Sequence, residues 1–169
     1  MKLKKFNIKK MKLTIIIPCY NEIKTLPLIL AKVKKVKLKN NLKKEIIVID
    51  DFSRDGTREY IKKIDSENII KIFHEKNKGK GAAVKSGIRK ASGDIIIIQD
   101  ADLEYEPEDY NKVVEPIMKR KAKVVYGSRF LNKKNKYSHL SFFIGGILVT
   151  AITNILFFSR LTDEPTCYK

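Results

Sequence analysis

An α/β fold, a mostly parallel sheet flanked by helices, is predicted by three features of the sequence. Short β-branched runs alternate with segments of helical periodicity from Leu13 to Tyr126. That alternation specifies a parallel sheet with helices on both faces. One run, Ile95-Ile96-Ile97-Ile98, is the composition of a strand buried on both faces. Each run is followed by a polar cluster, and in a parallel sheet such clusters converge on one edge. No internal repeat or linker divides the chain.

The elements follow in order. Residues 13–17 form an apolar first strand that Pro18 ends. Residues 26–36 place apolar residues at helical spacing with lysines between them. Residues 45–50, rich in Ile and Val, are the second strand, and 53–64 a turn followed by a helix. Residues 69–73 are the third strand, 81–91 a helix rich in small residues, and 94–99 the fourth strand. Glu106-Pro107-Glu108-Asp109 opens a helix, with proline and acidic residues in its first turn. Val113, Val114, Ile117 and Met118 supply its buried stripe, and 123–126 are a fifth strand.

Residues 137–159 contain no Asp, Glu, Lys or Arg. Their length approaches a transmembrane helix, but Gly145, Gly146, Thr150, Thr153 and Asn154 make a poor uniform span. An in-plane helix at a membrane surface or a helix completed by missing partners is one reading, and a core helix of the domain is the other. Lys133, Lys134 and Lys136 favour the surface, where they meet anionic head groups. The expected organisation is a basic tail over 1–12, one α/β domain over 13–136, and an apolar helical segment over 137–169.

The formal charge of +17 favours anionic partners: nucleotides, nucleic acid or an anionic membrane. Most of the excess is lysine spread along a chain rich in Ile and Asn, so it also fits a composition bias of the source. Cys19 and Cys167 have neither metal-type spacing nor a disulfide framework, which sets a reducing cytosolic default. The basic start lacks a signal peptide's apolar run, and Met11 is an alternative start.

The clusters carry the chemistry. Asp100-Ala101-Asp102-Leu103-Glu104 follows the fourth strand. Hard divalent cations prefer carboxylate oxygens and bridge them to substrate phosphates. Ligands of open α/β sheets bind at the carboxyl ends of strands. The alternative is that Asp100 and Asp102 are turn residues. After the first strand, Tyr20 offers a flat face for a base and Glu22 an acceptor for ribose or base. Asn21-Glu22 equally suits a helix cap. After the second, Asp50 or Asp51 can accept from a base N–H, while Ser53-Arg54-Asp55-Gly56 reads as a turn. After the third, Gly79 and Gly81 let backbone approach phosphate and Lys80 can neutralise it. That loop lacks Walker spacing. Gly127-Ser128-Arg129 follows the fifth, with Arg129 a phosphate contact or a surface charge. His74 and His139 read as structural or solvated.

Pro18 to Glu22, Asp50-Asp51-x-Ser53-x-Asp55-Gly56, Gly79-x-Gly81-x-Ala83 and Asp100-x-Asp102 stand in one order and spacing. In these the chain resembles the family 2 glycosyltransferases of the GT-A, Rossmann-like fold. Asp100 to Glu104 with Pro107, Gly127-Ser128-Arg129-Phe130 and Leu161-Thr162-Asp163 bring it nearest to the dolichyl- or polyprenyl-phosphate sugar synthases. The resemblance implies that Asp100 and Asp102 hold Mg²⁺ or Mn²⁺, with Glu104 as a third ligand. It implies that Pro18, Tyr20, Asn21, Glu22 and Asp50 or Asp51 hold the nucleoside. Gly79, Lys80 and Ala101 would lie along the nucleotide, and Arg129 would face phosphates as a catalytic group beside the two aspartates.

The implied activity is metal-dependent, inverting transfer of a hexose from a UDP- or GDP-sugar to a polyprenyl or dolichyl phosphate. The implied place is cytoplasmic, peripheral at the inner face of an anionic membrane. The alternatives are transfer to a saccharide hydroxyl in surface-polysaccharide assembly, and a truncated sugar-nucleotide-binding module without turnover. A hydroxyl acceptor needs a general base; Asp163 and Glu164 are the last acidic residues and are poor candidates. Relatives of this kind continue past Lys169, so truncation at the C-terminus is expected. Nucleic acid is not an expected partner, because the acidic strand ends repel phosphate unless a metal intervenes.

Overall fold

The computed structural model describes residues 11–128 and 140–166. They form two compact units, one ending at Asn111 and the other beginning at Lys112. The first holds strands β1 (Lys12–Cys19), β2 (Lys43–Asp50), β3 (Ile69–Phe73) and β4 (Ile95–Ile98). Helices α1 (Leu26–Lys35), α2 (Thr57–Lys63) and α3 (Lys80–Lys90) connect them. All pairings are parallel, in the order β3-β2-β1-β4. The alternation of runs is therefore realised as an α/β sheet of four strands.

The central strands are the most apolar. From Leu13 to Cys19 every residue of β1 is buried. Ile16, Ile47, Ile49 and Ala83 form one cluster between the sheet and α3. A fully buried side chain of this kind contributes roughly 1.5–3 kcal/mol. At Gly87 an added Cβ would meet Ile16 Cγ2 at 2.6 Å, so glycine lets α3 lie close on the sheet.

Pro18 does not end the first strand as expected; β1 runs through it to Cys19. The Ile16 carbonyl accepts from Gln99 N–H, and the Cys19 carbonyl from Asp51 N–H. Peptide groups alternate in direction, so Pro18, like Ile16, faces the β4 side. There β4 has already ended at Ile98, and the missing N–H costs no ladder bond. At the other end, Lys12 belongs to β1 and the Met11 carbonyl accepts from Lys43 N–H. Residues 1–10 lie outside the described residues.

Two lysines terminate helices from neighbouring strands. Lys44 Nζ donates to the carbonyls of Val33 (2.6 Å), Lys34 (3.0 Å) and Val36 (2.8 Å), satisfying the end of α1. Burial lowers its pKa. Lys71 Nζ donates to Lys62 O (3.2 Å) and Ile64 O (2.8 Å) at the end of α2.

A 3-10 turn at Pro107–Asp109 leads into α4 (Tyr110–Met118), at the start that Pro107 marks. The expected fifth strand is absent: residues 123–128 carry no regular structure. Val124 is 64% exposed, and a four-residue run without a buried face gains too little to extend a sheet. In the second unit, α5 spans Leu140–Phe157. Among the described residues no helix is long and apolar enough to cross a membrane. Two of the polar residues that spoil a span, Thr150 and Asn154, have structural partners. Thr150 Oγ1 donates to Gly146 O (2.7 Å) and accepts from Glu164 N–H (3.0 Å). Asn154 Oδ1 accepts from Ser159 Oγ and Leu161 N–H, both at 2.8 Å, and its Nδ2 donates to Leu161 O. The segment after α5 is thus tied back onto it. Ile144, Ile147, Leu148, Ile152, Ile155 and Leu156 remain exposed.

Candidate functional site

The carboxyl ends of β1, β2 and β4 and the start of α3 enclose a pocket of about 180 Å³. Pro18, Cys19, Tyr20, Glu22, Asp51, Lys80, Ala83, Asp100, Ala101 and Asp102 line it. Eight of the residues singled out in the sequence therefore meet in one place. Asn21, Asp50, Gly79 and Glu104 are absent from the lining. Arg129 and His139 lie outside the described residues.

The adjacent aspartates at the end of β2 have different tasks. Asp50 is fully buried, accepts from Ser53 N–H at 3.1 Å and pairs with Arg58 Nη1 at 2.7 Å. It braces the turn. Asp51 Oδ1 accepts from His74 Nδ1 (2.7 Å) and Lys78 N–H (2.9 Å), and Oδ2 from Gly79 N–H (2.7 Å). Although burial alone would raise its pKa, those donors hold the carboxyl below its usual range. His74, buried, also meets Ser86 Oγ on α3 at 2.9 Å. Asp51 thus faces the pocket while fixing the β3–α3 loop. In that loop Gly79 has φ 83° and ψ 161°, a conformation nearly exclusive to glycine.

The first loop is held by its neighbour. Asn21 N–H donates to Ser53 Oγ (2.9 Å), and Asn21 Oδ1 accepts from Arg54 N–H (2.9 Å). Glu22 N–H donates to Thr57 Oγ1 (2.8 Å), and its carbonyl accepts from Leu26 N–H (2.8 Å). Asn21 is thus a clamp between loops. Glu22 both opens α1 and lines the pocket, with its carboxylate accepting from Thr25 Oγ1. Tyr20 is 47% exposed, its ring available to a planar ligand. Non-glycine residues with positive φ occur in three of the loops, at Asn21 (57°), Phe52 (69°) and Leu103 (66°). Such strain concentrates where structure over-determines a ligand site.

In the loop after β4, Asp102 Oδ1 accepts from Glu104 N–H (3.1 Å), the local turn bond expected of aspartate. Asp102 is therefore a turn former that also lines the pocket. Lys80 Nζ lies 2.7 Å from both oxygens of Asp100. Gln99, fully buried, orients the loop: its Nε2 donates to Asp100 O (3.0 Å) and Tyr105 O (3.3 Å), and its Oε1 accepts from Tyr110 Oη (2.7 Å). Among the described residues no three His, Cys, Asp or Glu side chains cluster closely enough to hold a metal by themselves. Two carboxylates on one pocket wall suit Mg²⁺ or Mn²⁺ nevertheless, because such ions complete their shells with substrate phosphate and water. Glu104 does not join them.

Cys19, Ala83, Gln99, His74 and Ser86 complete the site and its supports, and sequence reasoning assigned none of them a role there. A glutamine directly after four isoleucines was the available signal, since a buried polar group must find partners. The Cys19 thiol is buried, and burial, with the charges of Asp50 and Glu22, pushes its pKa up. It is inert packing rather than a nucleophile.

Comparison with known proteins gives the family of this fold. The glycosyl transferase family 2 pattern matches residues 14–147, which hold β2, β3, β4, most of β1 and the whole pocket lining. The chain belongs to glycosyltransferase family 2. A dolichol-phosphate mannosyltransferase of Pyrococcus furiosus is 36% identical over 122 residues, 72% of this chain and 34% of that protein. The UDP-N-acetylglucosamine–dolichyl-phosphate N-acetylglucosaminyltransferase of Methanococcus voltae is 33% identical over 90% of this chain and 66% of its own length. The chain thus spans about a third to two thirds of these relatives. Among solved structures, S. aureus TarS 1-349 in complex with UDP superposes with a TM-score of 0.56 at 25% identity, covering 66% of this chain and 33% of that one. Its complex with UDP-GlcNAc covers 65% and 32% at a TM-score of 0.55. The family 2 fold is of the GT-A type, and the parallel sheet carries the pocket at its carboxyl edge.

Proposed function

We propose that this family 2 chain forms the donor site of a metal-dependent inverting glycosyltransferase. It would move a hexose from a UDP- or GDP-sugar to a polyprenyl or dolichyl phosphate. The observation that carries the reading is one pocket lined by Tyr20, Glu22 and Asp51 together with Lys80, Asp100 and Asp102. The first group suits a nucleoside: a ring face, an acceptor for ribose hydroxyls, and a carboxylate for a base N–H. The second suits a diphosphate and its cation. The two relatives, named for dolichyl-phosphate glycosyl transfer, support the lipid-phosphate acceptor.

Asp100 and Asp102 would hold the Mg²⁺ or Mn²⁺, which supplies charge neutralisation at the departing diphosphate. Lys80 adds a cation beside them, and Asp51 with His74 keeps the β3–α3 loop in place. The acceptor oxygen forms its bond to the anomeric carbon as the bond from that carbon to the nucleoside diphosphate breaks on the opposite face. A phosphate monoester, with a second pKa of about 6, already bears its charge at neutral pH. It needs orientation rather than a general base. The exposed apolar residues of α5 and the chain's +17 charge support a peripheral position on the cytoplasmic face of an anionic membrane.

The test supplies radiolabelled UDP-glucose, UDP-N-acetylglucosamine or GDP-mannose with polyprenyl phosphate and Mn²⁺. The expected outcome is an organic-extractable glycolipid from one donor, abolished by EDTA. Product formed only on a saccharide acceptor would overturn the lipid assignment. Donor binding without any product would leave a binding module.

A further inference from the structure

The contact between Lys80 and Asp100 sets a condition on how the site fills. Lys80 is the first residue of α3 and Asp100 follows β4. Its ammonium stands 2.7 Å from both Asp100 oxygens, and Asp100 is mostly buried while Lys80 is largely exposed. The two belong to the same pocket lining as Asp102. A divalent cation that takes Asp100 as a ligand needs an oxygen that Lys80 now engages. An ammonium and a dication on one carboxylate repel each other. Lys80 is held by a long flexible stem, so it is the partner that can leave.

We infer that Lys80 is an exchangeable counter-ion that makes metal and diphosphate binding mutually dependent. Alone, the metal must displace Lys80 and strand it beside a dication. With a nucleoside diphosphate present, the ammonium moves from Asp100 to a phosphate oxygen and the metal takes the vacated carboxylate. No covalent bond changes; one ion pair is traded for two. By linkage, whatever factor the diphosphate adds to metal affinity, the metal adds to diphosphate affinity. Lys80 is in this sense a positioning residue that favours the loaded pair over either ligand singly. The inference rests on the proposed metal-assisted donor site.

The experiment measures Mn²⁺ binding by electron paramagnetic resonance of the free ion, with and without UDP, on the full chain and on Lys80→Met and Lys80→Arg. Lys80 is exposed enough that both variants should fold, which circular dichroism checks. Lys80→Met is expected to bind Mn²⁺ alone about tenfold more tightly than wild type, and to lose most of the enhancement that UDP brings. Lys80→Arg should keep the wild-type pattern. Equal or weaker Mn²⁺ affinity in Lys80→Met, with the UDP enhancement intact, would overturn the exchange and leave Lys80 a simple phosphate contact. If UDP binds but no protein takes Mn²⁺ under any condition, the metal assignment itself fails and the exchange falls with it. Those two failures are distinguished by the wild-type titration alone.

Discussion

Glu45 at the amino end of the sheet and the Asp100–Asp102 pair at its carboxyl end are carboxylates in different settings. At the amino edge, Glu45 is saturated from within the chain. Thr14 Oγ1 donates at 2.6 Å, Ser92 N–H at 2.9 Å and Ser92 Oγ to the other oxygen, and Lys12 Nζ lies 3.6 Å away. Although its burial opposes ionisation, these donors pull its pKa down to about 2. At the carboxyl edge, Asp100 and Asp102 line an open pocket. Glu45 serves cohesion alone, whereas Asp100 and Asp102 also form the wall of a pocket. Charge alone therefore does not mark a site. The difference lies in the donors: Glu45 is held by backbone and short hydroxyl groups, whereas Asp100 is met by the largely exposed Lys80 ammonium on its long stem.

Four substitutions break or sharpen this contrast. The largest effect is expected at Asp102→Ala, which should lower turnover roughly 10²–10³-fold while shifting unfolding free energy by less than about 1 kcal/mol. Steady-state assay and urea denaturation read the two. Retained turnover would place the metal elsewhere. Asp50→Ala should do the reverse, although it stands beside the pocket. It strips Arg58 of a fully buried partner, at a cost of roughly 3 kcal/mol by urea denaturation.

Glu45→Gln should cost roughly 1–2 kcal/mol at neutral pH and leave donor affinity unchanged. Its pH dependence has a definite sign. A carboxyl whose pKa drops on folding stabilises above its unfolded value, ordinarily near 4.5, and loses that contribution as pH falls to about 2. The gap between wild type and variant should be constant above about pH 5 and close towards pH 2 in a series of urea melts. The smallest effect is expected for Tyr20→Ala. Loss of one stacking face should weaken UDP binding by about 1 kcal/mol, roughly fivefold, in calorimetry, with stability unmoved.

The sheet was legible in the sequence because burial on both faces demands continuous apolar runs, and 69–73 carries its bounds without change. The polar ends of those runs located the pocket. What escaped was long-range closure. Nothing local separates Asp50 from Asp51; the difference arises because Arg58 reaches one and His74 with the β3–α3 loop reaches the other. Nothing local shows that Lys44 and Lys71 cap helices rather than face solvent. The supposed strand at 123–126 had the right residues but no buried face to reward pairing.

The loop bonds of the pocket join residues far apart in the chain: Asn21 to Ser53, Glu22 to Thr57, Asp51 to Gly79. Every strand pairing is parallel, with a crossover between partners. Such contacts close only after long stretches of chain have been ordered, which makes folding slow. None of these loop bonds can form before the strands they follow have docked. The pocket is therefore among the last features to mature during refolding, and recovery of the proposed UDP binding would time the end of the process rather than its beginning.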